Sequence, residues 1–209
     1  MNRGFGGYNS ELLKRTLPRL FDRKFCEQIA CLTLCIGAND SWFPISSRFN
    51  PSLPLEKYRQ NVVEIVEFLL ENGLTKEKIL LITPPTIVPA KWAEFAKQAQ
   101  IEIEKTPEHT RKYAEAMIEV GHRFGIKAFD AFELTDRDEH RDKAFGDGLH
   151  FSKYGADLLY DLIKSDVDQL VEKYRGTNRM NFPTYLDMDY NHPETFYTAE
   201  PSPIQPTSP

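Results

Sequence analysis

A chain of 209 residues supports one domain with a substantial core and leaves little for a second. Its 41% hydrophobic and 27% charged content is that of a soluble globular protein, and a net charge of −5 without a basic face argues against a nucleic-acid partner. No apolar run reaches the length of a membrane span, and Met1 to Tyr8 lacks the apolar centre of a secretion signal.

In chain order, the first feature is Asn2-Arg3-Gly4-Phe5-Gly6-Gly7-Tyr8-Asn9-Ser10. Three glycines in four residues mark backbone that needs φ > 0 or admits another group closely. A glycine N–H here suits an oxyanion donor. A flexible terminus and a phosphate loop are the other readings, the latter disfavoured because the pattern is neither G-x-G-x-x-G nor a Walker motif. Ile29 to Ile36 is almost continuously apolar and predicts a buried strand, as do Ile79 to Thr83 and, more weakly, Ile126 to Phe132; continuous apolarity suits parallel strands covered on both faces. Cys26, Cys31 and Cys35 lack the paired spacing of a zinc site, and reduced, buried thiols in the cytosol are expected.

Helical spacing runs from Leu55 to Asn72 with a stop at Gly73, and from Pro107 to Phe124 with a stop at Gly125. A last helix, about Ser152 to Tyr174, has Ser152 as N-cap and Leu158, Leu159, Leu162, Ile163, Val167 and Leu170 as its apolar stripe. Strand alternating with helix means an α/β fold with right-handed crossovers. The domain is expected to span 1–175. The remainder, 176–209, reads as a Pro-rich disordered tail whose first part Phe182, Tyr185 and Tyr190 tack onto the domain.

Functional residues in parallel sheets collect just past the carboxyl ends of strands. Gly37-Ala38-Asn39-Asp40 is placed there, and Asn39 suits a side-chain donor to a developing oxyanion; alternatively Asn39 and Asp40 only cap a turn. In Gly146-Asp147-Gly148-Leu149-His150 a carboxylate three residues before a histidine can fix its tautomer and stabilise the imidazolium, unless the pair is an ordinary surface turn. His109, His122, His140 and His192 read as solvated.

Taken in order, the Asn2 to Ser10 motif, Gly37-Ala38-Asn39-Asp40, Leu81-Ile82-Thr83-Pro84-Pro85 and Gly146-Asp147-Gly148-x-His150 resemble the SGNH/GDSL hydrolase superfamily, and within it the isoamyl acetate-hydrolysing esterase branch. Tyr58 and Asn61 add the Tyr-x-x-Asn of the helix that follows. The resemblance implies a three-layer α/β/α, flavodoxin-like fold hydrolysing short-chain esters of small alcohols, with no metal or cofactor. It implies oxyanion donors at the Gly7 N–H and the Asn39 amide, each such donor worth ~3 kcal/mol. It implies His150 as general base and then general acid, held by Asp147.

The family's nucleophile lies in a Gly-Asp-Ser motif ahead of the glycine motif, and none occurs in these 209 residues. On the resemblance, an N-terminal strand-helix-strand is missing, as from a start at an internal methionine, and the chain alone is expected to be inactive or very weak. Ser10, Ser41, Ser46, Ser47 and Cys35 are poorly placed substitutes, with Cys35 expected inside the sheet's packing. A strand at 29–36 deprived of its neighbour is expected to leave an apolar edge and poor solubility. A non-catalytic binder of an ester, lipid or protein, and a deacetylase of larger carbohydrate or lipid substrates, are the competing readings. The 42–54 loop, with Trp42, Phe43 and Phe49, suits a pocket wall or a cover for the sheet edge. Oligomeric state is left open.

Overall fold

The computed structural model describes residues 4–44, 50–99 and 104–174. Asn2, Arg3, Ser46, Ser47, Phe49, His192 and the expected tail, with Phe182, Tyr185 and Tyr190, lie outside the described residues. The elements run α1 (Ser10–Leu20), α2 (Arg23–Gln28), β1 (Leu32–Cys35), α3 (Leu55–Glu71), a 3-10 turn (Lys76–Lys78), β2 (Ile79–Ile82), α4 (Pro89–Ala99), α5 (Pro107–Phe124), β3 (Lys127–Phe129), α6 (Ala131–Asp136), α7 (Asp138–Ala144) and α8 (Lys153–Lys173).

The helices that the sequence predicts form for the reasons it gives. The α3 stripe buries Tyr58, Val62, Ile65, Val66 and Leu69, and the helix stops at Asn72, just before Gly73. Thr106 caps α5 by accepting from the His109 N–H at 3.2 Å, Pro107 opens it, and Gly125 ends it in the left-handed conformation at φ 64°. Ser152 caps α8 by accepting from the Gly155 N–H at 3.2 Å. The sequence reading missed α1, α2, α4, α6 and α7.

The strands form a parallel sheet in the order β1-β2-β3, with Leu32 beside Ile79 and Leu80 beside Lys127. Leu34, Ile79 and Leu81 face a core shared with α3, α5 and α1. Leu80, Ile82 and Phe129 face the other way, onto Leu159, Leu162, Ile163, Val167 and Leu170 of α8. Each fully buried aliphatic side chain contributes ~1.5–3 kcal/mol, and the fully buried β2 is the centre of the sheet. Helices thus cover both faces, as an α/β/α arrangement requires.

Two expectations need correction. The first strand is shorter than the apolar run at 29–36 and is not covered on both faces: Thr33 and Cys35 are exposed, because α8 lies over β2 and β3. Cys35 is therefore outside the sheet's packing, and Cys31 is only half-buried, while Cys26 is buried as expected. His109 and His140 are half-buried; the first stacks on Phe43 at 4.5 Å between ring centroids and the second bonds Tyr154 Oη at 2.9 Å, so neither is simply solvated. Among the described residues no helix is long and apolar enough to cross a membrane.

Candidate active site

The Gly37–Asp40 loop leaves the carboxyl end of β1 and reaches back to the glycine-rich segment. Asn39 Nδ2 donates to the Tyr8 carbonyl at 2.8 Å, and Asn39 Oδ1 accepts from the Trp42 indole N–H at 3.3 Å. These contacts fix which end of the amide is nitrogen and leave the second Nδ2 hydrogen uncommitted to either. Beside Tyr8, Gly7 adopts φ 76°, and no heavy atom lies within 4 Å of where a Cβ would sit. A side chain there would be strained and would fill the space in front of the backbone. The structure thus brings Asn39 and the Gly7-Tyr8 backbone together.

Asp40 does more than cap its own turn. It is fully buried and accepts from the Ser10 N–H at 3.0 and 3.1 Å and from Ser10 Oγ at 2.5 Å, while Asn61 Nδ2 donates to that same Oγ at 3.0 Å. The carboxylate thereby sits at the first turn of α1, where the helix dipole favours it. Burial pushes the Asp40 carboxyl up and the Ser10 bonds hold it back, leaving it at about 6. Ser10 is consequently no stand-in nucleophile: its hydroxyl is enclosed between Asp40 and Asn61. Ser41 is equally buried, with Oγ donating to the Ala38 carbonyl at 3.3 Å. Cys35 is solvent-accessible, yet the surrounding protein desolvates its thiol and pushes it up to about 11, so little thiolate forms near neutrality.

Beneath the same loop lies a residue that sequence reasoning did not single out. Lys105, buried just before α5, donates from Nζ to the Ala38 carbonyl at 2.7 Å and sits 5.5 Å from the Trp42 ring centroid. Burial lowers its ammonium to about 7 against the pull of Asp40. No motif flags it, since its partners are 63 to 67 positions away.

The second half of the site is the loop between α7 and α8. Asp147 Oδ1 accepts from the Leu149 and His150 N–H groups at 2.9 and 2.8 Å, and Oδ2 lies 2.7 Å from His150 Nδ1. Burial raises the Asp147 carboxyl, but the His150 and Leu149 hydrogen bonds outweigh it and hold the group below its ordinary value. With Nδ1–H donated to Asp147, the neutral ring presents Nε2 as an acceptor. The Asp147 side chain is 18% exposed and that of His150 74%, so the carboxylate is enclosed and the ring faces outward.

This loop is tied shut at its base. The Gly146 N–H donates to the His150 carbonyl at 2.9 Å, and Phe145 and Phe151 form an antiparallel bridge with rings stacked at 5.5 Å. Gly148 adopts φ 94°, and a Cβ there would lie 2.5 Å from Trp92 N and 2.6 Å from the Val88 carbonyl oxygen. Only glycine lets the loop settle this closely on the start of α4, where the Val88 N–H reaches the Gly148 carbonyl at 2.8 Å.

The two halves meet across one apolar cluster of Trp42, Ile87, Trp92 and Ala96, with Leu149 against it. Trp42 is therefore internal packing between the Asn39 and His150 loops, neither an open wall nor a cover for the sheet edge. Among the described residues no three of His, Cys, Asp and Glu gather as a metal-binding group.

The GDSL-like lipase/acylhydrolase family matches residues 1–158, a stretch that includes Gly7, Asn39, Asp147 and His150. An isoamyl acetate-hydrolyzing esterase 1 homolog from Rattus norvegicus is 29% identical over 198 residues, covering 93% of this chain and 77% of that protein. Among solved structures, a lipase/acylhydrolase from Enterococcus faecalis is 22% identical with a TM-score of 0.56, covering 80% of this chain and 72% of that one. A catalytic mutant of an acetylxylan esterase from Geobacillus stearothermophilus is 14% identical with a TM-score of 0.60, over 80% and 71% of the two chains. At these identities the two structures speak for the fold alone, a parallel sheet between helices.

Proposed function

The chain belongs to the GDSL-like lipase/acylhydrolase family, and on that premise we propose that it holds the Asp–His and oxyanion parts of a hydrolase for short-chain, acetate-like esters. The observation that carries the reading is the His150–Asp147 pair, Nδ1 to Oδ2 at 2.7 Å on a loop closed at its base. His150 Nε2 takes the proton of a serine hydroxyl as that oxygen attacks the ester carbonyl. The carbonyl oxygen, now an anion, is received by the Gly7 N–H and the free Asn39 Nδ2 hydrogen. His150 then returns the proton to the departing alkoxide, and water repeats the sequence on the acyl-enzyme.

No Gly-Asp-Ser occurs in the 209 residues, so the serine in this scheme is not supplied by the sequence in hand. Removing the serine of a serine-hydrolase triad costs ~10⁶-fold in kcat, and the chain by itself is expected to turn over esters barely, if at all. We place the activity in the cytosol, a reading that rests on three free cysteines.

The test is p-nitrophenyl acetate hydrolysis by the 209-residue chain and by the same chain carrying a family-type Gly-Asp-Ser segment at its N-terminus. Activity confined to the second protein and abolished by His150→Ala supports the proposal. An inactive restored protein that still binds ester would instead favour the non-catalytic reading.

A further inference from the structure

Two buried residues without a part in that scheme, Lys105 and Trp42, converge on Asn39. We propose that they are positioning residues for the Asn39 amide, Lys105 by pinning the backbone at Ala38 and Trp42 by fixing the amide's orientation; this rests on the reading of Asn39 as an oxyanion donor. The Trp42 N–H meets Asn39 Oδ1 at 3.3 Å while Nδ2 meets the Tyr8 carbonyl at 2.8 Å. Reversing the amide would set oxygen against oxygen at Tyr8 and donor against donor at Trp42. The second Nδ2 hydrogen is thereby presented in one direction only, and a preorganised donor is worth most when it needs no reorientation as charge develops.

Lys105 acts one step behind. Its Nζ holds the carbonyl of Ala38, the residue before Asn39, at 2.7 Å, and lies 5.5 Å from the ring centroid of Trp42, within cation–π range. An ammonium is among the costliest groups to bury, yet here it is 4% exposed and its hydrogen bond goes to the oxyanion loop. The titratable groups around it are Asp40 on that loop and His109 on α5, with Tyr58 of α3 and Tyr113 of α5 facing Asp40. Burial has already brought the ammonium down to about 7, so its hold on Ala38 weakens on the alkaline side of neutrality.

The experiment uses the ¹⁵N-labelled 209-residue chain, with the Asn39 Nδ2 signals assigned by their loss in Asn39→Asp and the Trp42 indole signal by its loss in Trp42→Phe. Trp42→Phe keeps a ring and removes the donor; Lys105→Met keeps the stem and removes the charge. Each is expected to speed hydrogen exchange at Asn39 Nδ2 about tenfold, the equivalent of one hydrogen bond, while the Asn72 side-chain amide at the end of α3, which donates to the Phe68 carbonyl at 2.8 Å, keeps its protection. Lys105→Arg should restore most of the protection. An Asn39 amide unmoved in both variants overturns the proposal.

If either variant fails to fold, titration of the unmodified chain from about pH 5 to 9 decides. Apart from any step that follows Asp40 near 6, Asn39 Nδ2 and Trp42 Nε1 must each show a step that coincides with that of Lys105 Nζ, and the absence of a shared step overturns the proposal. In the serine-restored protein Trp42→Phe should lower kcat and leave KM. Should the restored protein prove inactive while the Asn39 amide still responds to both variants, the positioning stands and the hydrolase reading falls.

Discussion

Asp147 collects three donors within four residues of chain, the Leu149 and His150 amides and the His150 ring, and is held ionised by them. In the serine-restored protein Asp147→Asn should keep the loop's shape and lower kcat by roughly 10²–10⁴, because the ring loses the partner that fixes its tautomer. Its effect on stability has a definite sign. A carboxyl held below its ordinary 3.8 stabilises the fold above that pH and loses the contribution as pH falls through the lowered value. The stability difference between native chain and Asp147→Asn should therefore shrink below about pH 4, as read by urea denaturation at fixed pH. Gly148→Ala should cost about 2–4 kcal/mol, from left-handed strain plus overlap with Trp92 N and the Val88 carbonyl. An unchanged denaturation midpoint would contradict the close docking of that loop. The four residues of the proposed site were singled out in sequence from contiguous motifs, Asn39 after a strand, Asp147 and His150 before a helix and Gly7 in a glycine cluster, with their roles implied by the resemblance. Lys105 and the Ser10–Asp40–Asn61 contacts were not, because they are made by residues 30 to 67 positions apart that only the fold assembles.

At the scale of elements, the long apolar stripes of α3, α5 and α8 and the strands at 79–82 and 127–129 could be read directly, while the short, charged α6 and α7 carry too little periodicity to be seen. The omission of α1 is different: Asn9 accepts from the Leu12 N–H at 3.0 Å, and Leu13, Leu17 and Leu20 face the core, so a cap and a stripe were both present. The glycines before it drew the reading toward a loop. The strand at 32–35 differed from expectation at two positions, since apolarity in sequence does not say whether a second layer reaches the strand. Among the described residues its outer edge pairs with no other strand, and Thr33 and Cys35 lie open beside it. Such an edge invites pairing between chains. The 209-residue chain should therefore self-associate in a concentration-dependent way on gel filtration, whereas a monomeric peak with a sharp, reversible melt would count against it.

Across the whole molecule, the buried Asp40 and Lys105 give stability a characteristic pH profile. Asp40 rises from 3.8 to about 6, so the native state keeps that proton longer and stability falls as pH climbs through this interval. Lys105 drops from 10.5 to about 7, so the native state sheds its proton sooner and stability climbs between those values. Relative to the native chain, Asp40→Asn should remove the falling limb and Lys105→Met the rising one in urea denaturation across that range. The cluster that joins the two halves of the site has an optical side as well. The chain has two tryptophans, Trp42 behind the Asn39 loop and Trp92 under the His150 loop, with ring centroids 5.3 Å apart and planes tilted by 52°. Chromophores that close and that tilted couple their transitions, giving a paired, oppositely signed band in circular dichroism that vanishes once the rings separate. The protein thus carries a native gauge of whether its two loops are seated together, readable without a label and in advance of any substrate.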